Sequence, residues 1–320
     1  MLNWLRDADA NRWTMLVGLL LLGLGPLIIE WIEKPFYLDL MIRIMILSIA
    51  ASSLNLILGY GGMISFGHAA FIGIGAYSAG IPAYYEEYNG LLQLAIAIGS
   101  AGLFALITGV ICLRTKGIYF IMITLAFSQM AFFTFVSLEE YGGDDGLVID
   151  VRSEFGSLID FESDVQLYYT VLTLLLAVLF LVHRLVRSHF GGVIRGAKSN
   201  ISRMQSLGFN TYRYQLICYV IAGMICGLSG WLLGNFTGFI SPEMMDWTRS
   251  GELLFMVVLG GTGTLFGPVL GTSAFIIAEE VLSGITVYWQ FIFGIMLILI
   301  VLFVRGGLSG MISRRGKANE

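Results

Sequence analysis

Two glycine-rich breaks interrupt apolar stretches of this chain, and they hold most of the residues able to meet a solute. The first runs Leu58-Gly59-Tyr60-Gly61-Gly62-Met63-Ile64-Ser65-Phe66-Gly67-His68, with Asn55 just before it. The second runs Leu259-Gly260-Gly261-Thr262-Gly263-Thr264-Leu265-Phe266-Gly267-Pro268. Each begins Leu-Gly and reaches Phe-Gly before a new apolar run, an echo that suggests an internal repeat. A broken helix leaves backbone N–H and C=O groups unpaired, and at membrane depth these survive only inside protein or against a watery cavity. Helix ends at such breaks can meet a small charged solute. The expected pathway-lining residues are Asn55, Gly61, Gly62, Ser65, Phe66, Gly67, Gly260, Gly261 and Gly263. The plainer reading of the same residues is a tight bend in helix packing.

Catalytic patterns are lacking. The second break has no Lys-Ser/Thr to hold phosphate and magnesium, and no His-Glu-x-x-His or Gly-x-Ser-x-Gly occurs. His68, His183 and His189 do not cluster with carboxylates, and Cys112, Cys218 and Cys226 lack metal-ligand spacing. His68 is expected to hydrogen-bond at a helix start. No catalytic residue, metal or cofactor is therefore expected, and the chain is not read as an enzyme. Few ionisable groups lie inside apolar runs. Arg43 has Asp39 four residues before it as a candidate partner, and Glu252 begins the second broken stretch. Asn55, Thr124, Ser128, Gln129 and Gln290 are neutral polar groups expected to hydrogen-bond between helices.

One loop stands apart. Residues 188–212 place Arg195, Lys198 and Ser202 on one helical face and Ile194, Ala197 and Ile201 on a neighbouring one, with Leu207-Gly208 as the stop. Such a helix can lie on a membrane surface or dock a partner.

The elements that must position these residues are apolar helices. Of 320 residues, 57% are hydrophobic and 12% charged, about half the charged share of soluble domains. That balance excludes an ordinary soluble enzyme, a disordered chain and a nucleic-acid-binding module. Runs long enough to cross a bilayer, or nearly so, are 13–31, 38–58, 69–85, 91–113, 118–138, 165–187, 214–236 and 287–304. The first is too long for a signal peptide and lacks its cleavage site. The expected fold is an all-α polytopic membrane bundle of 8–10 spans with discontinuous helices. Residues 251–285 form either a re-entrant hairpin, the favoured reading, or two short crossings.

Charge orients the bundle. Residues 139–164 hold nine acids and one base, Arg152, whereas 184–213 hold six bases and no acid. Lys and Arg stay cytoplasmic. The expected organisation is a cytoplasmic segment 1–12, a transmembrane domain 13–304 and a basic cytoplasmic tail 305–320. Within the domain, 139–164 is an acidic periplasmic loop and 188–212 a cytoplasmic one.

Five stretches in this order resemble the permease subunits of branched-chain amino acid ABC importers, of the LivM type. They are Ser53-Leu54-Asn55-Leu56 with Gly59 through His68; Gly117-Ile118-Tyr119-Phe120 with Thr124-Leu125-Ala126-Phe127; Gly142 through Leu147; the 188–212 loop; and Ser241-Pro242-Glu243 through Thr264. The similarity runs from about residue 37 to 312. It implies a bacterial inner-membrane importer of leucine, isoleucine or valine. The implied partners are a second permease of the LivH type, two cytoplasmic ATP-binding subunits and a periplasmic amino acid-binding protein, besides membrane lipid, with no nucleic acid. The 193–208 segment resembles the ATPase-coupling loop, which puts Arg195, Ala197, Lys198 and Gly208 on its characteristic positions. Gly196 stands where such loops more often start with an acid, and Tyr141 where relatives often have Thr. Alternative cargoes are urea, amides or other amino acids. The alternative from another class is a secondary carrier using Arg43, Glu252 or His68.

Overall fold

A computed structural model describes Pro26 and residues 35–156, 161–303 and 307–310. Most of the expected span 13–31, the segment 1–12 and most of the tail 305–320 lie outside the described residues. The chain forms α1 (Pro35–Asn55), extended by a π turn over Leu56–Tyr60, then α2 (His68–Tyr84), α3 (Gly90–Cys112) and α4 (Ile118–Val136). There follow α5 (Asp164–Arg187), α6 (His189–Ser199), α7 (Ile201–Ser206) and α8 (Thr211–Thr237). Last come α9 (Trp247–Gly260), α10 (Gly267–Ser283) and α11 (Trp289–Phe303). Five of these stretches are long and apolar enough to cross a membrane: Phe36–Tyr60, Gly90–Cys112, Ile118–Val136, Asp164–Arg187 and Thr211–Thr237.

Small residues bring the central helices together. Lipid tails are as apolar as leucine, so membrane helices associate through close packing, not through release of water. Ala97, Ala101 and Ala105 recur every fourth residue on α3 and are fully buried. Gly223 and Gly227 of α8 face that stripe: a Cβ on Gly223 would strike Ala105, and one on Gly227 would strike Ala101. On another side of α8, a Cβ on Gly230 would strike the Ile72 carbonyl of α2. Similarly, one on Gly75 would strike the Gly227 carbonyl. The shape of α8 thus lets α2 and α3 approach at backbone distance.

Residues 251–285 fold as two antiparallel helices. Gly260 abuts Gly267, and Gly271 abuts the Met256 carbonyl. At 14 and 17 residues, α9 and α10 are about 21 and 25 Å long, short of the ~30 Å hydrocarbon core. The acidic segment is more structured than its composition suggests. Leu147–Val148 (β1) pairs antiparallel with Phe239–Ile240 (β2), with Leu147 opposite Ile240. This ribbon ties the acidic loop to the end of α8, and Leu147 and Ile240 both pack on Gly80 near the end of α2.

Candidate functional site

The two breaks are locked together. Asn55, the last residue of α1, is 1% exposed. Its Oδ1 accepts from the Gly263 amide at 2.9 Å, and its Nδ2 donates to the Thr264 carbonyl at 2.9 Å. One side-chain amide thereby satisfies a donor and an acceptor that the second break frees. Gly59 makes the fit possible, since a Cβ there would overlap both Asn55 Oδ1 and the Gly263 backbone. Gly263 has φ +76°, in the left-handed region that glycine adopts without strain. Thr264 completes the second break: its Oγ1 donates to the Gly261 carbonyl at 2.9 Å and accepts from the Gly267 amide at 3.1 Å, pairing the first amide of α10. The described residues of the C-terminal region close over it, with Ser309 Oγ 3.3 Å from Thr264 Oγ1. Replacing Asn55 with Leu leaves both backbone groups unpaired. We expect a loss of about 1–3 kcal/mol, read as a lower unfolding temperature in detergent.

The basic loop reaches this lock. Lys198 of α6 donates its Nζ to the Gly59 carbonyl at 2.6 Å, and its Cγ lies 2.8 Å from where a Cβ on Gly62 would sit. Gly62 has φ +72°. Ile194 and Ala197 are the buried side of α6, while Arg195 is exposed and its Nε donates to the Gly191 carbonyl at 3.3 Å. The expectation of one continuous helix over 193–208 is corrected. Asn200 breaks it, its Oδ1 accepting from the Arg203 amide at 2.9 Å to cap α7. Ser202 consequently belongs to a different helix from Arg195 and Lys198. Gly208 has φ +89° just after α7, the expected left-handed stop.

Among the expected pathway residues, Asn55, Gly61, Ser65, Gly67, Gly260 and Gly261 are buried, Phe66 and Gly263 half-buried, and Gly62 exposed. Ser65 Oγ accepts from the Gly67 amide at 3.2 Å, and the Phe66 amide donates to Thr124 Oγ1 at 3.2 Å. The open surface at the breaks also includes Ile64, Thr262 and Thr264, which sequence reasoning missed. Alternation was the available signal. An irregular segment buries every second residue, and Met63 and Ser65 are buried between exposed Gly62 and Ile64.

Several polar expectations resolve into packing. Ser128 Oγ donates to the Met245 carbonyl at 2.9 Å, and Gln129 Nε2 donates to Asp246 Oδ1 at 3.0 Å. The three cysteines are buried and free. Arg43 pairs with Glu279 of α10 at 3.6 Å, not with Asp39, because α10 packs alongside α1. Glu252 pairs with Arg249 at 2.9 Å. His68 starts α2 without the expected hydrogen bond. Both ring nitrogens lack a partner among the described residues, and the ring meets Phe71 and Tyr219 edge-on.

The chain is similar to known proteins. The family model described as "Branched-chain amino acid transport system / permease component" matches residues 36–301. The branched-chain amino acid permease LivM of Escherichia coli (strain K12) is 26% identical over 321 residues, covering 92% of this chain and 75% of that protein. LivH of Salmonella typhimurium is 28% identical over 55% of this chain and 59% of its own. The autoinducer 2 import permease LsrC of Photorhabdus laumondii is 26% identical over 41% of each. No solved structure matches. These similarities do not favour the secondary-carrier reading. Apolar helices, paired breaks and a match over most of the chain agree: this is a multi-pass membrane protein, and it belongs to the permease-component family of branched-chain amino acid transport systems.

Proposed function

We propose that this chain is one membrane-spanning half of a bacterial inner-membrane ABC importer for leucine, isoleucine and valine, with both termini cytoplasmic. A second permease of the LivH type completes the pathway. Two cytoplasmic ATP-binding subunits supply the energy, and a periplasmic binding protein delivers the amino acid to the acidic side. This chain hydrolyses no ATP itself. Its domains follow from that arrangement: a pathway-forming bundle over 13–304, an acidic outer loop over 139–164, a coupling loop over 188–212 and short cytoplasmic ends.

The observation that carries the reading is the hydrogen bond from Lys198 to the Gly59 carbonyl. It joins the loop assigned to the ATPase directly to the first break, and Asn55 joins the first break to the second. Displacement of α6 therefore pulls on both breaks at once. Lys198 meets the carbonyl end of a helical segment, where a cation is favoured. At the breaks, Gly62, Ile64 and Thr262 offer small or aliphatic surface and a hydroxyl to a zwitterion with an aliphatic side chain.

Uptake of labelled leucine, compared in cells with and without this chain, tests the class. We expect uptake to fall on deletion and the remaining wild-type activity to track ATP, not the proton gradient. Chain-dependent uptake that collapses with the gradient while ATP is maintained would contradict it. The Gly208→Val variant tests the loop. Its left-handed backbone disfavours a β-branched residue by about 1–2 kcal/mol, and nothing else lies close to Gly208. We expect insertion to persist while ATPase activity and uptake become uncoupled; normal coupled uptake would remove Gly208 from the docking role.

A further inference from the structure

A cleft of about 780 Å³ opens where α5 ends and α6 begins. Its wall includes Phe180, Arg184, Arg187, His189, Met204 and Phe209. Arg184 and Arg187 are exposed, and neither forms an ion pair among the described residues. No acid occurs anywhere in 184–213 to neutralise them. The wall also carries apolar side chains, Phe180 among them. Phe180 lies seven residues before Arg187 on the same helix, about 10 Å further along it, and is 69% exposed on a span-length apolar segment. The lining thus passes from an exposed aromatic ring on a membrane-crossing helix to two unpaired guanidinium groups at its end. Gly192 leaves the α6 side of the cleft open, for nothing lies within 4 Å of where its Cβ would be.

From this geometry we infer that the cleft holds an anionic phospholipid. The headgroup phosphate sits against Arg184 and Arg187, and an acyl chain runs along Phe180. Basic pockets at the membrane edge take phosphate headgroups, and guanidinium groups pair with phosphate in bidentate fashion. The bound lipid would brace α6 against α5, so membrane composition would set how firmly the coupling loop is held. The inference goes beyond the transport reading and does not depend on which solute is carried.

The test is native mass spectrometry of the full chain with dioleoyl phosphatidylglycerol or dioleoyl phosphatidylcholine. We expect retention of phosphatidylglycerol to exceed phosphatidylcholine by roughly thirtyfold, as two nearby arginines imply. The double variant Arg184→Gln/Arg187→Gln should erase that preference. Gly192→Leu, which puts a bulky side chain on the cleft wall with both arginines intact, should also weaken retention of phosphatidylglycerol. Arg213→Gln, which is not part of the wall, should leave it unchanged. Unfolding temperatures in detergent check that each variant is folded. Equal retention of the two lipids, or a preference that survives both cleft variants, would overturn the inference. An equal loss in Arg213→Gln would overturn it as general charge attraction. Displacement by millimolar inorganic phosphate would identify a free-anion site instead. Expulsion of the lipid on adding ATP-binding subunits would identify protein as the occupant.

Discussion

The Gly59→Ala variant should lose most leucine uptake and be less stable than the wild type. The added methyl group would overlap Asn55 Oδ1 and the backbone of Gly263. A flexible side chain could swing aside, but the Gly263 backbone is held in the second break by Asn55 itself. Overpacking of this kind costs typically 1–3 kcal/mol. Here relief requires separating the two breaks, so it also sacrifices the paired Asn55 hydrogen bonds. Gly99→Ala is the matched control, because nothing lies within 4 Å of its Cβ position on α3. Alanine favours a helix over glycine by up to about 1 kcal/mol, so that variant should be neutral or slightly stabilised. Thermal unfolding in detergent and uptake in cells read both variants. A Gly59→Ala chain that unfolds and transports like Gly99→Ala would show that the breaks do not need their close contact.

Lys198→Met is expected to separate ATP hydrolysis from transport. Methionine retains much of the aliphatic stem over Gly62 but cannot donate to the Gly59 carbonyl, which Lys198 meets at 2.6 Å. A charged hydrogen bond contributes about 1.5–3 kcal/mol. If that bond carries the coupling, its loss should lower uptake roughly tenfold or more while ATPase activity of the assembled importer persists. Lys198→Arg keeps the charge and donors and should retain part of the uptake. Equal loss of ATPase activity and uptake in Lys198→Met would indicate failed docking rather than failed transmission.

The long helices were legible because length and apolarity suffice to define them. The run 91–113 became a helix over Gly90–Cys112, and 165–187 one over Asp164–Arg187. The breaks were legible too, since clustered glycine interrupts an apolar run visibly. Their mutual contact was not. Asn55 and Gly263 are 208 positions apart, and no local pattern reports a hydrogen bond across that separation. Lys198 could be placed in the basic loop from sequence, yet its reach to Gly59 depends on how α6 packs against the π turn. The ribbon between Leu147–Val148 and Phe239–Ile240 was hidden for another reason. Two-residue strands are too short to show alternation, and the acidic residues around the first dominate its composition. Asn200 was read as part of a continuous helix, although Asn is a strong cap as well as a tolerated helical residue.

The central claim is that ATP acts on the breaks through Lys198. Thr262 and Ile64 are exposed at the breaks, whereas Cys112, Cys218 and Cys226 are buried. A cysteine introduced as Thr262→Cys therefore reports on the breaks with little interference from the native thiols. The decisive measurement is its rate of modification by a hydrophilic maleimide in the assembled, leucine-transporting importer, with and without ATP. We predict a change of at least about fivefold on adding ATP, and its disappearance when Lys198→Met is also present. The same rate with and without ATP, in an importer that still moves leucine, would contradict the claim.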